Sequence, residues 1–477
     1  MQIFLLFVEI GDIMEKEKEG VCMDGYETNR PRPVTRRRRR RSQLDIFKET
    51  YLPTVIACIA VILIIIFSVG AITRGIQRAK LEHTGSSQGT IDSESQVIEM
   101  ATAYAAAYDY ENALAALDAF SGKETSQMQD LRKQYTAAMK DLVLWEDNSK
   151  IPILSFQQLL ADPVRGFASS NFKNHLTTSE FTKILQKLYE NNYILVNLED
   201  ITQSSTNSAG DTIFSNKELL LPDGKKPVIL LQTGVNYYTQ MVDSDGDRFP
   251  DQNAPGFANR LLLDANGNIA CELINSDGSV DAGAYDLVPI LESFITTHPD
   301  FSYKGARAIL AVTGHDGLFG YRCSSAAGDY FGPAYQDKQS SQAQVIVNAL
   351  QQSGYVIACN TYADIAYGTI DAATLRTDLE SWNNEISPIL ADVDILVYAK
   401  DSDIAAAGES YSGEKFSALS AQGFRYFIGN QNGGASWQVL GDGYARYGRL
   451  TVNADTIRSN SNWFSGMFDS TILDAGR

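Results

Sequence analysis

The fold is decided by the stretch ARAILAV at residues 306–312 together with SQAQVIVNALQQSGYVIA at residues 341–358. The first stretch is a short run that is apolar apart from Arg307. The second begins as an amphipathic segment and ends in another apolar run after Gly354. This order indicates a strand, a helix and a second strand. Strands this apolar are typical of a parallel sheet that is buried on both faces.

The same alternation continues over residues 151 to about 457 and predicts one α/β sheet or barrel. The predicted strands are Ile151–Phe156, Tyr193–Leu198, Pro227–Leu231, Ala306–Val312, Tyr355–Ala358, Asp394–Tyr398 and Phe424–Ile428. The predicted helices are Thr178–Glu190, Leu287–Thr297, Ser341–Ser353, Ala372–Ile386 and Glu414–Gln422.

Residues 52–72 form an uncharged apolar run of 21 residues. At about 1.5 Å per residue this run spans about 30 Å, the thickness of a bilayer core, so it predicts a transmembrane helix. More basic residues precede the run, including Arg36–Arg41, than follow it. The positive-inside rule therefore predicts a single-pass cell-membrane protein with a cytoplasmic basic tail at 1–51. Residues 73–93 are then a linker, and the C-terminal part is extracytoplasmic.

Charge is distributed unevenly along the chain, whose formal net charge is −18 and whose pI is about 4.7. Residues 1–80 carry a net charge of +5 and residues 81–477 a net charge of −23. An acidic C-terminal part argues against nucleic acid as its partner, because phosphate binding requires clustered Lys and Arg. The arginine run is interpreted as a topology signal that also attracts anionic lipid.

Residues 94–150 show helical periodicity with a break at Ser121–Gly122, which predicts two antiparallel helices. The stretch AAAYDYENALAAL at 105–117 is similar to a tetratricopeptide helix pair, but no second copy follows. Such arrays need about three repeats for stability. We expect either a helical stalk that packs on the next domain or a module that binds a protein partner.

Five ordered segments of the predicted domain 151–477 stand out: TTSEF at 177–181, LYENNYILVNLEDI at 188–201, PVILLQTG at 227–234, HPDFSYKGARAILAVTGHDGLFGYR at 298–322 and ALQQSGYVIACNTYAD at 349–364. Together these segments resemble the polysaccharide deacetylases, in particular the membrane-anchored Gram-positive type. The resemblance implies a distorted (β/α) barrel and a role in cell-envelope carbohydrate metabolism.

The chemistry of this family is metal-dependent hydrolysis of the amide of N-acetylated sugars, with one Asp and two His as metal ligands and an Asp as base. The resemblance places the two carboxylates on Gln232 and Thr233 and the two histidines on Asn360 and Asp364. Amide and hydroxyl groups bind zinc poorly, so we expect degenerate motifs and no catalytic metal.

A cleft that has lost its metal retains groups suited to sugar. Such barrels place their sites at the carboxyl ends of the strands, where we expect the four family positions to lie. Tyr362 and Arg446 are candidates for binding substrate, and Arg449 also faces the cleft in this interpretation; surface solvation is the alternative for both arginines. The first hypothesis is a degenerate barrel that binds or senses glycan. The second is an active N-deacetylase with an altered site.

A separate signal lies at residues 243–251, DSDGDRFPD, which place Asp243, Asp245, Asp247 and Asp251 at positions 1, 3, 5 and 9. This spacing is typical of calcium-binding loops, although position 6 is not Gly and position 12 is not Glu. The loop is predicted to be either a structural calcium site or a solvated turn.

Other reactive side chains carry less information. His175, His298 and His315 accompany no nucleophile motif and are interpreted as structural. Cys271, Cys323 and Cys359 allow one disulfide or simple burial.

Overall fold

The computed structural model describes residues 91–390, 392–429, 433–475 and 477. The predicted tail at 1–51, the transmembrane run at 52–72 and the linker up to residue 90 lie outside the described residues. Within the described ranges, no helix has the length and apolar character needed to cross a bilayer.

The described strands are β1 (Val143–Leu144), β2 (Ile153–Phe156), β3 (Tyr193–Leu195), β4 (Thr202–Thr206), β5 (Thr212–Asn216), β6 (Leu220–Leu221), β7 (Lys226–Thr233), β8 (Arg260–Leu263), β9 (Ile269–Ile274), β10 (Val280–Gly283), β11 (Ile309–Val312), β12 (Val356–Cys359), β13 (Ile395–Val397), β14 (Tyr426–Gly429), β15 (Gln438–Gly441) and β16 (Tyr444–Thr451).

The described α-helices are α1 (Glu94–Ala106), α2 (Tyr110–Asp118), α3 (Ser126–Lys140), α4 (Pro163–Gly166), α5 (Thr178–Glu190), α6 (Leu198–Ile201), α7 (Thr239–Val242), α8 (Leu287–Thr297), α9 (Ser325–Phe331), α10 (Pro333–Ser353), α11 (Ala372–Glu385), α12 (Ser387–Leu390), α13 (Gly413–Ala421) and α14 (Ala454–Ser459).

Seven of the described strands form a closed parallel barrel in the order β11, β12, β13, β14, β16, β2, β7. The barrel closes where β11 pairs with β7, with Ile309 opposite Leu231. At its margins β3 pairs with the first half of β7, and β15 pairs antiparallel with β16. The predicted (β/α) barrel is confirmed by these pairings.

Alternate residues of each strand pack into two different apolar layers, as the period of two along a strand requires. One set fills the barrel interior, and the other packs against the surrounding helices. The interior set includes Ile153, Ile229, Ile309, Ile395, Ile428 and Tyr447. The outer set includes Leu154, Leu230, Leu310, Leu396 and Phe427.

Every strand predicted from an apolar run is present within a few residues of its expected bounds, and so are the predicted helices except α10, which begins at Pro333 and not at Ser341. β16 was not predicted from the sequence, although all but the last of its residues are buried. Arg446 and Arg449 interrupt its apolar character, so periodicity does not show it. The hairpin β4–β5 and the meander β8–β9–β10 were also not predicted.

The segment 94–150 contains three α-helices where two were predicted. The extra break falls at Tyr108, whose φ of 60° is left-handed and ends the first helix. The Asp109 side chain then caps α2 by accepting from the Asn112 N–H at 3.3 Å. The segment also contacts the barrel domain: the Lys304 N–H donates to the Ala107 carbonyl at 2.8 Å.

Cys271, Cys323 and Cys359 are buried and free of disulfides. Burial raises the pKa of each thiol, which keeps all three protonated and unreactive at neutral pH.

Candidate functional site

A cleft of about 340 Å³ opens at the carboxyl ends of the barrel strands. Its floor continues the interior-facing period of the strands: Ser155 follows Ile153, Thr233 follows Leu231, Asn360 follows Ala358 and Arg449 follows Tyr447, each two residues on. The barrel is therefore apolar inside and changes to polar side chains where the strands end. This change in polarity creates the cleft.

Three of the four positions given by the family resemblance line this cleft, namely Thr233, Asn360 and Asp364. The Asn360 amide donates to the Val397 carbonyl at 2.8 Å, and the Thr233 hydroxyl donates to the Phe156 carbonyl at 3.3 Å. These bonds fix both side chains to neighbouring strands.

Gln232 lies behind the cleft wall because its side chain points to the helix layer. It is fully buried, and its amide donates to a carboxylate oxygen of Asp286 at 2.8 Å. That carboxylate also accepts from the Leu159 N–H at 3.0 Å and the Tyr237 hydroxyl at 2.9 Å. Burial raises the pKa of Asp286 against these hydrogen bonds. Gln232 thus takes part in a network that positions the segment after β2, which borders the cleft.

Two ion pairs lie at the cleft. Lys400 Nζ is 3.5 Å from Asp364 Oδ2, and Arg449 Nη2 is 2.6 Å from Asp401 Oδ1. Burial raises the pKa of Asp364, while the Lys400 ammonium acts in the opposite direction. The cleft therefore carries both positive and negative side chains. Asp364 and Arg449 were expected there from the sequence, whereas Lys400 and Asp401 were not.

The backbone at these ion pairs is strained. Thr361, Asp364, Lys400 and Asp401 have φ values of 63°, 50°, 52° and 50°, in the left-handed region that non-glycine residues rarely adopt. Such residues cost of order 1–3 kcal/mol each and cluster at functional sites. Thr361 and Asp364 follow β12, and Lys400 and Asp401 follow β13, so these four residues lie at the end of the barrel where the cleft opens.

Two polar atoms of cleft residues are buried without a hydrogen-bond partner: Gln158 Oε1 and Arg449 Nη1. Arg449 already donates to the Tyr398 carbonyl at 2.9 Å and to Asp401, so its remaining N–H groups are an unused donor. A buried polar group without a partner costs about 1–3 kcal/mol. A donor and an acceptor in this state suit a ligand that offers hydroxyl or amide groups.

The two substrate-binding candidates lie elsewhere. Arg446 is fully buried and does not line the cleft: its Nη2 is 2.9 Å from Asp403 Oδ2, and its guanidinium lies 3.9 Å from the Tyr411 ring centroid. Tyr362 packs against Gly314, outside the cleft lining. Arg446 is therefore neither solvated at the surface nor placed in the cleft, because it is buried and forms an ion pair with the buried Asp403 carboxylate.

The cleft residues do not fit the family's divalent metal. Within the described part of the chain, the groups of three or more His, Cys, Asp or Glu that could share one ion do not include His175, Asp364 or Asp401. Asp364 instead has an ammonium group beside it, which repels a cation.

His175 lines the cleft and was interpreted from the sequence as structural. Its Nδ1 is 2.9 Å from the Gln158 carbonyl, and its ring lies 5.0 Å from Phe257. Burial lowers the pKa of this imidazole, which favours the neutral form. The other two histidines in the described part of the chain lie outside the cleft lining, with His298 stacked on Phe294 and His315 stacked on Tyr238.

The cleft lining also contains residues that were not predicted from the sequence, among them Ser155, Gln157, Gln158, Tyr238 and Lys400. The available signal was position: most of them follow the predicted strands within five residues.

In the acidic loop, the carboxylates of Asp243, Asp245 and Asp247 lie within 4.8 Å of one another. Asp251 turns back into the loop and accepts from the Ser244 hydroxyl at 2.8 Å. Calcium binding by this loop stays a prediction.

Two solved deacetylase structures are similar to this chain, whereas no protein-family model and no curated protein matches it. The Streptococcus pyogenes deacetylase PplD in complex with acetate has a TM-score of 0.35 and 15% identity over 67% of this chain and 98% of that chain. A de-N-acetylase from Aggregatibacter actinomycetemcomitans has a TM-score of 0.35 and 11% identity over 66% and 99%. Similarity at this level establishes no shared function, and the barrel assignment rests on the strand pairings.

Proposed function

We propose that this chain is a membrane-attached, extracytoplasmic polysaccharide-deacetylase-like protein whose barrel cleft binds glycan of the cell envelope. The observation that carries the proposal is the pair of unpartnered buried atoms at the cleft, Arg449 Nη1 and Gln158 Oε1. Sugar hydroxyl and acetamido groups supply both an acceptor and a donor. The fixed amide of Asn360 and hydroxyl of Thr233 add further polar groups of the same kind.

The membrane attachment rests on the sequence. The uncharged run at 52–72 and the excess of basic residues before it support a single span with the barrel outside the cell. A glycan ligand in the envelope is reachable only from that side.

The proposal is tested by thermal unfolding of the full chain in detergent with and without N-acetylglucosamine oligosaccharides. A ligand that binds only the folded state at 100 times its Kd stabilises it by about 2.7 kcal/mol, so the Tm should rise with sugar concentration. Arg449→Gln should abolish this rise, because it removes the unused donor. Arg458→Gln is the matched control, since Arg458 is an exposed arginine outside the cleft lining. A Tm that does not respond to any of these sugars would contradict the proposal.

The second candidate is an N-deacetylase with an altered site, which would hydrolyse the C–N bond of the acetamido group. The strained backbone at Asp364 and Lys400 and the raised pKa of Asp364 favour it, because perturbed groups and strain accompany catalysis. The same purified chain would then release acetate from N-acetylated oligosaccharide. An absence of acetate, combined with a sugar-dependent Tm, supports binding alone.

A further inference from the structure

One wall of the cleft is the segment that joins α4 to α5. Phe172 and His175 of this segment line the cleft. The His175 Nδ1 lies 2.9 Å from the Gln158 carbonyl oxygen. Because a carbonyl oxygen only accepts, Nδ1 carries the proton of the neutral ring and Nε2 remains an acceptor. The position of this segment therefore decides where the cleft presents an imidazole acceptor.

An ion pair behind this wall is almost completely removed from solvent. Arg477 Nε lies 2.6 Å from Glu180 Oε1, and Arg477 Nη2 lies 2.9 Å from Glu180 Oε2. The side chain of Arg477 is 3% exposed and that of Glu180 is 0% exposed. Two parallel bonds of this kind are the strongest way in which a guanidinium binds a carboxylate. A charge buried to this extent also requires further hydrogen bonds.

The Arg477 guanidinium finds these further bonds in the backbone of the cleft wall. Its Nη1 donates to the Lys173 carbonyl at 2.7 Å, and its Nη2 donates to the carbonyl of His175 itself. Glu180 in turn accepts from the Thr177 N–H at 2.8 Å, at the start of α5. One side chain thus fixes the wall at Lys173 and at His175 and, through Glu180, at the end of the wall segment.

Asp474 adds a second brace at the end of the wall. The Thr177 hydroxyl donates to Asp474 Oδ2 at 3.0 Å, and the Asp474 N–H donates to Glu180 Oε1 at 2.9 Å. Lys183 Nζ lies 2.6 Å from Asp474 Oδ1, and its side chain is 43% exposed. An exposed ion pair contributes little to stability. The Lys183 pair is therefore a natural control for the buried pair of Arg477.

The positive charge of Arg477 also acts on the imidazole of His175. Burial lowers the pKa of His175, the hydrogen bond to Gln158 opposes this effect, and the Arg477 charge adds to it. The rings of Phe172 and Phe257 lie 5.8 and 5.0 Å from the His175 ring. Arg477 thus favours the neutral imidazole, in which Nε2 can accept a hydrogen bond.

We infer that Arg477 is a positioning residue of the cleft, which fixes the wall segment and thereby presents His175 Nε2 as a hydrogen-bond acceptor to the ligand. The effect on ligand affinity rests on the proposed function, whereas the effect on His175 does not. The contacts of one buried guanidinium with Glu180 and with two carbonyls of the wall carry the inference.

The test follows the four histidines of the full chain in detergent by NMR of histidine-labelled protein, with His175→Gln to assign the signal of His175. In Arg477→Gln the pKa of His175 should rise, because the wall loosens around the ring and a nearby positive charge is lost. Affinity for N-acetylglucosamine oligosaccharide, measured by titration calorimetry, should fall about fivefold, the effect of one misplaced hydrogen bond. Arg477→Lys keeps the charge but not the planar fork, so the pKa of His175 should lie between those of the wild type and Arg477→Gln.

Lys183→Gln is the matched control, because it removes the exposed ion pair with Asp474 and leaves the guanidinium contacts in place. Both readouts should keep their wild-type values in this variant. If Arg477→Gln lowers the Tm but leaves the pKa of His175 or the sugar affinity unchanged, the inference is overturned and Arg477 acts on stability alone. A wild-type chain that binds no sugar would overturn the proposed function, while the pKa of His175 would still test the positioning role.

Discussion

Asp286 shows how a single buried carboxylate organises one wall of the cleft. It is fully buried and accepts hydrogen bonds from Gln232, Tyr237 and the Leu159 N–H. Burial raises its pKa, which means that ionisation is less favourable in the folded protein than in the unfolded chain. Stability therefore depends on pH through this residue.

The direction in which stability changes with pH follows from proton linkage. An unfolded Asp titrates near pH 3.9, whereas Asp286 in the folded protein retains its proton to higher pH. The stability that this proton contributes is therefore fully present below about pH 3.9. It is lost as the pH rises toward the pKa of the folded state. We predict that Asp286→Asn lacks this loss, so that the difference in free energy of unfolding between this variant and the wild type moves in favour of the variant as the pH rises from about 4 to about 7. Urea denaturation at several pH values measures this difference. Asp337→Asn, at an exposed position on α10, is the control. A plot of unfolding free energy against pH that is parallel to the wild-type plot is expected for Asp337→Asn. The same result for Asp286→Asn would contradict the prediction.

At the scale of elements, the turn after β11 depends on one glycine. Gly317 has a φ of 85°, and an added Cβ would overlap the Tyr321 carbonyl oxygen. We predict that Gly317→Ala destabilises the protein by about 3 kcal/mol, from left-handed strain and from displacement of backbone. Gly267→Ala is the control: its φ is 81°, but nothing lies within 4 Å of the added Cβ, so it should cost only about 1 kcal/mol. Chemical denaturation measures both, and equal losses would contradict the steric argument.

The elements also show which signals the sequence carries. β11 and β12 are continuous apolar runs, and periodicity predicts them correctly. β16 contains Arg446, whose burial depends on Asp403 of a different loop, so its apolar run is broken although the strand is central. The break at Tyr108 is likewise invisible to periodicity, because a left-handed residue can occur inside a helical stretch without Gly or Pro.

At the scale of the whole molecule, the barrel keeps the architecture that the family resemblance implies but presents a cleft that does not fit the family's metal. We predict that the full chain, purified without chelators, contains well below one zinc per chain by elemental analysis. The physical reason is that Thr233, Asn360 and the Lys400-paired Asp364 offer too few anionic or imidazole ligands. A stoichiometric zinc that survives dialysis would contradict this. Removal of divalent cations should leave sugar-dependent stabilisation unchanged.

The sequence by itself determined the alternation of strands and helices of an α/β sheet or barrel, because apolar periodicity is local. The choice of a barrel and of the positions Thr233, Asn360 and Asp364 came from the resemblance to the polysaccharide deacetylases and not from periodicity. Only the tertiary structure decided that Gln232 points away from the cleft, that Arg446 is buried in an ion pair, and that His175, Lys400 and Asp401 line the cleft beside Arg449. These outcomes depend on contacts between residues far apart in the chain, which no local pattern encodes.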